Sequence, residues 1–388
     1  MNDATGPLAG YRFVEIAGIG PTQLAGMLLS DMGAEVIRVE RPQAADLGVV
    51  MPRESELLNR GRRSIAIDLK QPGGAELVLR LAAGADGLFE GFRPGVMERL
   101  GLGPEVCLVS NPRLVYGRMT GWGQDGPLAL AAGHDPNYIA LTGVLASIGE
   151  AGGDPVYPLN VIGDFGGGGV MLALGMLAGV LNAARSGRGQ VIDAAMVDGA
   201  ATLMTYFYGL MSAGLWDEQR GSNVLDGGAH FLRAYRTRDD RHVVVGALEP
   251  RFYTALLDGL GIDDEDLRTR QMDRDRWPEF RARLAAVFAT RTRAEWEQVF
   301  EGSDACFAPV LTLSEATRHP HALARGAYVE IDGVIQPAPA PRFGATPSAV
   351  QGPPPKSAGC DSVAVLREAG MDGAEIDDLL AAGVVHGS

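Results

Sequence analysis

The strongest constraint on the fold is a strand, a glycine turn, a helix and a second strand, all within residues 11–40. Tyr11 to Ile16 reads as a strand and runs into Ala17-Gly18-Ile19-Gly20-Pro21. Gln23 to Met32 then places apolar residues at helical spacing, and Ala34 to Glu40 returns as a strand. Two strands separated by a helix pair in parallel through a right-handed crossover. The expectation is an α/β fold that binds ligands beyond the C-terminal ends of its strands. Glu40 stands 20 residues after Gly20, as in a dinucleotide fingerprint. Gln23 replaces the third glycine, however, and Pro21 removes a backbone donor where a pyrophosphate needs one. The turn therefore argues against NAD.

Further strands are expected at Ser64 to Lys70, Ala85 to Glu90 and Leu114 to Met119, with a helix over Gly74 to Ala85. Arg41, Lys70, Arg93 and Arg99 fall at the ends of these strands or in the loops after them. Cations gathered there suit a multiply phosphorylated ligand. They must act locally, because 48 acidic against 34 basic side chains leave a net charge of -14. That field disfavours general binding to nucleic acid or to an anionic membrane.

Three scattered cysteines, Cys107, Cys306 and Cys360, fit a reduced cytoplasm better than a disulfide framework. Six histidines form no ligand ladder, so no metal is expected. The opening MNDATGPLAG lacks the basic and apolar regions of a signal peptide. The most apolar run, Val170 to Ala184, reads as a buried helix of about 15 residues, too short to span a bilayer.

Chemistry concentrates in two stretches thirty residues apart, Gly133-His134-Asp135-Pro136-Asn137-Tyr138 and Gly163-Asp164-Phe165-Gly166-Gly167-Gly168-Gly169. The first sets an imidazole beside a carboxylate; the second places a carboxylate before four glycines. An imidazole and a carboxylate facing one carbon can remove a proton from one side and return it on the other. The glycines would let backbone approach a ligand and present N–H groups at a helix start. The plainer alternative is that Asp164 caps the following helix and His134 is a satisfied loop histidine.

Beyond these motifs, Ala194 to Leu215 reads as one long helix, and Leu225-Asp226-Gly227-Gly228 as the entry to a second domain. Phe231 to Tyr235 and His242 to Val245 suggest a small antiparallel sheet, with Glu249 just past it. Helices follow at 252–260, 277–290 and 292–300; Pro337 to Pro355 reads as an extended strap, and two short helices close the chain. The organisation expected is 1–190 for the large domain, 191–224 for linking helices, 225–315 for the small domain and 316–388 for a return segment completing the large one.

Val14-Glu15-Ile16-Ala17-Gly18-Ile19-Gly20-Pro21, Ile67-Asp68-Leu69-Lys70, Gly133-His134-Asp135, Gly163-Asp164-Phe165, Leu225-Asp226-Gly227-Gly228, Gly246-Ala247-Leu248-Glu249-Pro250 and Asp304-Ala305-Cys306 together resemble the α-methylacyl-CoA racemases. These form a branch of the family III CoA-transferase group, and the resemblance runs from about residue 8 to the carboxyl terminus. It implies a Rossmann-like large domain with a parallel sheet, a smaller α+β domain, and two chains interlocked as a homodimer. The active site would lie between the large domain of one subunit and the small domain of its partner.

By position, the resemblance makes His134 and Asp164 the two acid/base groups and Glu249 the partner that orients His134 across the dimer. It assigns CoA contacts to Arg41, to Ile67, Asp68, Leu69 and Lys70, to Arg99, and to Gly133, Asp135, Pro136, Asn137 and Tyr138. Arg62 and Arg63 are expected as additional phosphate partners. Thr22 stands where glycine is common in the loop near the reacting carbon. The implied reaction is interconversion of 2R and 2S 2-methylacyl-CoA thioesters by proton transfer through an enolate. It needs no cofactor beyond the substrate's own CoA. The α-proton is far less acidic than an imidazolium, so the enolate oxygen needs a preorganised donor, for which the Asp164 backbone N–H is the candidate. The alternative is a CoA transferase in which Asp135 acts as an acyl-anhydride nucleophile.

Overall fold

The computed structural model describes residues 5–43 and 51–387; part of the amino-terminal stretch read for a signal peptide lies outside them. The chain forms two compact units. The first comprises residues up to Thr142, Leu159–Leu203 and Leu323 to the end; the second comprises Gly143–Pro158 and Met204–Ala322.

In the first unit, β1 (Arg12–Ile16), β2 (Glu35–Glu40), β3 (Arg62–Ile67), β4 (Gly87–Glu90), β5 (Val115–Thr120) and β6 (Gln190–Ala195) form one sheet. All are parallel, in the order β3-β2-β1-β4-β5-β6, and the short strand Val385–His386 adds antiparallel to β3. Strand order reverses between β1 and β4, which is where open α/β sheets leave a crevice. Thr22 fills the bottom of that crevice. It has no exposed surface, and β-carbons built on Gly18 and Gly91 would stand 2.6 and 2.9 Å from its side chain.

The stretch expected as one long helix over 194–215 instead begins as β6, then breaks into the helices Met196–Leu203 and Thr205–Ser212. Val191 and Ile192 suit a strand, and β5 offers an open edge for them to pair with. The sheet buries charge as well as apolar surface. Glu15 stands in register with Arg38, and Arg38 with Ser64, across β1, β2 and β3. Glu15 carries Arg38 on one oxygen and Arg62, at 3.2 Å, on the other.

The apolar run also differs from expectation. It forms a continuous 28-residue helical segment, Leu159–Ser186, long and apolar enough by composition to cross a membrane, with half of its most apolar window buried inside the protein. The first part, Ile162–Val170, winds as a π-helix, and Met171–Ser186 continues as an α-helix. The four glycines fall in the π-helical part. A β-carbon on Gly167 would lie 2.6 Å from the Ala200 nitrogen, and one on Gly169 would lie 2.7 Å from the Pro21 carbonyl. These glycines serve helix-to-helix contact with Pro21–Asp31 and Met196–Leu203, not the approach of a ligand.

The second unit pairs β7 (Leu232–Arg236), β8 (His242–Gly246) and β9 (Phe307–Pro309) antiparallel under helices such as Pro250–Leu260 and Trp277–Phe288. His230 is fully buried among Phe231, Tyr253 and Phe280. The Tyr253 hydroxyl donates to the Leu267 carbonyl at 3.0 Å, so the His230 Nε2–H donates to that hydroxyl at 2.6 Å, while Nδ1 is buried without a partner among the described residues.

Two stability predictions follow from this packing. A β-carbon on Gly199 would stand 1.8 Å from the Gly167 carbonyl, so Gly199→Ala should cost at least about 1–3 kcal/mol in denaturant unfolding. Gly209→Ala, which meets nothing in its helix, should be neutral or stabilising by up to about 1 kcal/mol. Burial drives the His230 pKa down to about 3 from 6.5. The unfolded chain therefore takes up a proton that the folded chain refuses. The stability this group contributes is complete above pH 6.5 and is lost as the pH falls towards 3. His230→Phe should flatten the acid limb of stability against pH, measured by chemical denaturation at pH 7 and pH 4.5.

Candidate active site

Because the sheet is parallel, the C-terminal ends of its strands open on one edge. Gly20 follows β1, Arg41 follows β2, Asp68 to Lys70 follow β3, and Gly91 to Arg99 follow β4. The loop after β5 leads to Gly133 and the helix Asp135–Leu141, and the π-helical segment brings Asp164 to meet it.

His134 is the N-cap of Asp135–Leu141; its backbone is extended, its N–H donates to the Asn137 Oδ1 at 2.9 Å, and its imidazole is exposed. Extended geometry at a cap turns the side chain away from the helix it starts. Pro136 follows in the first turn, where its missing donor costs nothing. Asp135 turns the other way and is 2% exposed. Its Oδ2 accepts the Asp164 backbone N–H at 2.7 Å, and a β-carbon on Gly163 would come within 2.5 Å of that oxygen. The hydroxyl of Tyr138 donates to the Gly133 carbonyl, and its ring meets Trp122 edge-on at 4.8 Å.

The Asp164 carboxyl is half-buried. Asn160, one helical turn earlier, donates its amide to Oδ2 at 3.0 Å, and a β-carbon on Gly20 would sit 3.3 Å from the same oxygen. Burial pushes the Asp164 pKa above the usual carboxylate value. The Asn160 bond and the charge of His134 pull against that rise, while the charge of Asp135 adds to it. Burial also raises the Tyr138 phenol, with Asp164 and Asp135 repelling its charged form and Arg93 favouring it. His134, Asp135, Tyr138, Asn160, Asp164 and Gly20 are thus gathered at the crevice, with Arg93 in electrostatic reach.

The Asp164 N–H is occupied by Asp135, so it is not the enolate donor expected from the sequence. Arg62 and Arg63 are not phosphate partners either. Arg62 has a fully buried guanidinium bonded to Glu15 and to the Arg60 and Gln23 carbonyls, and Arg63 is held between Glu35 at 2.6 Å and Glu368. Both lie inside the ion-pair lattice of the sheet rather than at its open edge.

Of the other expected contacts, the Ile67 side chain is in the core, Asp68 and Leu69 are half-buried, and Lys70 is exposed. Arg41 and Arg99 are exposed, with Arg41 over the Phe92 ring at 5.8 Å. Neither meets a carboxylate among the described residues. The loop that carries Arg93 and Arg99 is braced by a group that nothing in the local chain pattern singles out. Glu90, at the end of β4, is buried and accepts the Phe92 N–H at 2.7 Å; Arg118 reaches it at 3.2 Å and Glu98 at 2.8 Å. Burial raises the Glu90 pKa to about 7 despite those partners.

Glu249 belongs to the second unit, where it is the exposed N-cap of Pro250–Leu260. Cys306 has a positive φ of 49°; burial disfavours its thiolate, and the charge of nearby Glu249 adds to this. No group of three His, Cys, Asp or Glu side chains among the described residues could hold a metal ion.

The family model for "CoA-transferase family III" matches residues 8–361. The chain belongs to CoA-transferase family III. It is 46% identical over 371 residues to the alpha-methylacyl-CoA racemase of Mus musculus, covering 95% of each chain. It is also 46% identical over 342 residues to that of Homo sapiens, covering 88% of this chain and 87% of the human one. Among solved structures, a CAIB/BAIF family protein from Brucella suis matches with a TM-score of 0.80 at 26% identity, over 94% of this chain and 100% of that one.

The contrast between exposed and buried arginines is directly testable. Arg41→Ala and Arg99→Ala should raise KM for an acyl-CoA with little change in kcat. Arg62→Ala should instead leave Glu15 buried with one partner fewer and lower stability by about 3–5 kcal/mol. Thermal unfolding beside steady-state kinetics separates the two classes, and a kcat loss at unchanged KM in Arg41→Ala would contradict the phosphate role.

Proposed function

We propose that this protein is a 2-methylacyl-CoA racemase. It interconverts 2R and 2S thioesters by 1,1-proton transfer through an enolate. Identity to the mouse and human racemases over nearly the whole chain carries this reading. The site supports it, because an exposed imidazole and a half-buried carboxyl are gathered at the crevice of the sheet.

In one direction, neutral His134 removes the α-proton while protonated Asp164 delivers one to the opposite face. In the reverse direction, ionised Asp164 is the base and the His134 imidazolium the acid. Burial raises the pKa of Asp164, which favours the protonated form that the acid role needs. Glu249 acts as the partner that holds the His134 imidazole, supplied by a second copy of the chain in an interlocked homodimer. Exposed Leu174 and Leu181 on the long apolar helix, and Tyr206 and Tyr208 after it, support burial of these surfaces in an assembly.

Arg41, Arg99, the Asp68 to Lys70 turn and the Gly133 to Tyr138 segment bind the CoA portion, and no further cofactor takes part. The three free cysteines support a reducing, cytoplasmic setting, and the net charge of -14 supports a small-molecule partner over nucleic acid or anionic membrane. Metabolism of branched lipids is the matching role.

Two bases predict two different stereochemical defects. With His134→Ala, exchange of the α-proton with deuterated solvent should persist for one enantiomer and fall steeply for the other. Asp164→Asn should show the opposite preference. Net racemisation should fall by about 10²–10⁴-fold in both. Retention of exchange on the same enantiomer by both variants would defeat the assignment. A requirement for a second carboxylic acid in the wild-type reaction would establish a transferase instead. For the dimer, Glu249→Ala and His134→Ala chains co-expressed and purified as hybrids should regain activity, because one composite site is then intact; hybrids without recovery would contradict a shared site.

A further inference from the structure

Asp135 stands beside the reacting groups, yet its carboxylate is enclosed. The residue is 2% exposed; Oδ2 is held by the Asp164 N–H at 2.7 Å, and Gly163 closes over the same oxygen. Oδ1 is buried with no hydrogen-bond partner among the described residues. A nucleophile must approach a carbonyl carbon to about 3–3.5 Å. A carboxylate walled in by backbone does not offer that approach. What it does offer is a fixed acceptor and a fixed charge next to Asp164.

We propose that Asp135 is a positioning residue for Asp164: it anchors the π-helical backbone through the Asp164 N–H and sets a second carboxylate beside the Asp164 carboxyl. This rests on Asp164 being one of the two acid/base groups.

The anchor follows from the geometry. A π-helix has i→i+5 bonds, and such bulges gather at functional sites. The acceptor that Asp135 supplies lies outside the helix, twenty-nine residues earlier in the chain, so the turn that aims Asp164 is locked to the turn that starts at His134. The electrostatic half is consistent with the groups around Asp164. From the helix Asp135–Leu141 and its cap come His134, Asp135 and Tyr138; from its own segment comes neutral Asn160. Of the other elements packed on this segment, Met196–Leu203 carries Asp198 and β6 carries Asp193, which act on each other. Pro21–Asp31 carries Asp31, paired with Arg60, and Met171–Ser186 carries Arg185 in its last turn. Among the described residues, Asp135 is therefore the carboxylate that acts on Asp164.

The test is the pH dependence of kcat/KM with a 2-methylacyl-CoA for wild type, Asp135→Asn and Asp164→Asn. Asparagine keeps an acceptor for the Asp164 N–H and removes the charge. The Asp135→Asn protein should fold, lose about tenfold or less at neutral pH, and show its acid limb moved to lower pH. The shift should be the same for both enantiomers, because the equilibrium between them is independent of the enzyme. Asp164→Asn should lose about 10²–10⁴-fold. An unmoved acid limb in active Asp135→Asn overturns the inference while leaving the acid/base reading intact. Wild-type rates in Asp164→Asn overturn the reading itself. A second measurement needs no variant. Wild-type enzyme incubated with acyl-CoA and quenched with hydroxylamine should yield no hydroxamate at position 135, and a hydroxamate there makes Asp135 the nucleophile and ends the proposal.

Discussion

One hydrogen bond joins the two halves of the site, the 2.7 Å bond from the Asp164 backbone N–H to the Asp135 carboxylate. It ties the start of one helix to the π-helical turn of another. His134 and Asp164 sit on opposite sides of that joint, so their separation depends on the geometry of the bond. Charge-assisted bonds to backbone N–H groups are among the stronger hydrogen bonds, and this one is sheltered from water. Gly163 is needed for it, because a β-carbon there would occupy the space of the oxygen.

The joint is held in turn by dense helix packing. Gly167 and Gly199 bring two helices together so closely that neither has room for a side chain. Pro21 and Leu24 bear on Gly168 and Gly169 from the helix after β1, so the loop containing Gly20 is packed closely against the segment containing Asp164. Beneath them, the sheet carries its own charges in register. Glu15 pairs with both Arg38 and Arg62 in the interior, and this is why arginines near a suspected phosphate site can be structural. Burial separates the two classes: an arginine enclosed with its carboxylate is committed, whereas Arg41 and Arg99 at the edge are exposed.

The sheet was legible in the chain because its strands are short apolar runs separated by helical periodicity, and those two periods are incompatible with one another. β6 was not, because Gln190–Ala195 carries only two β-branched side chains and takes its conformation from the open edge of β5. The long helix was read as starting after the glycines for a related reason. Glycine has low helix propensity, and a tract of four predicts a loop unless a neighbouring helix needs the space. His134, Asp164 and their stretches were visible as chemistry, whereas Asn160, Glu90 and the enclosure of Asp135 were not, because each depends on residues distant in sequence.

The sequence by itself determined the parallel α/β architecture, the edge on which the site opens, and the residue types that could move a proton there. It did so because periodicity and turn chemistry are local properties. Tertiary structure alone decided that Asp135 is buried and Asp164 half-buried, that the glycine tract packs helices, and that the Asp164 N–H is already taken. Those outcomes rest on which backbone groups meet across the fold, and a carboxylate beside a histidine reads the same in the chain whether it faces solvent or the amide of a residue twenty-nine positions away.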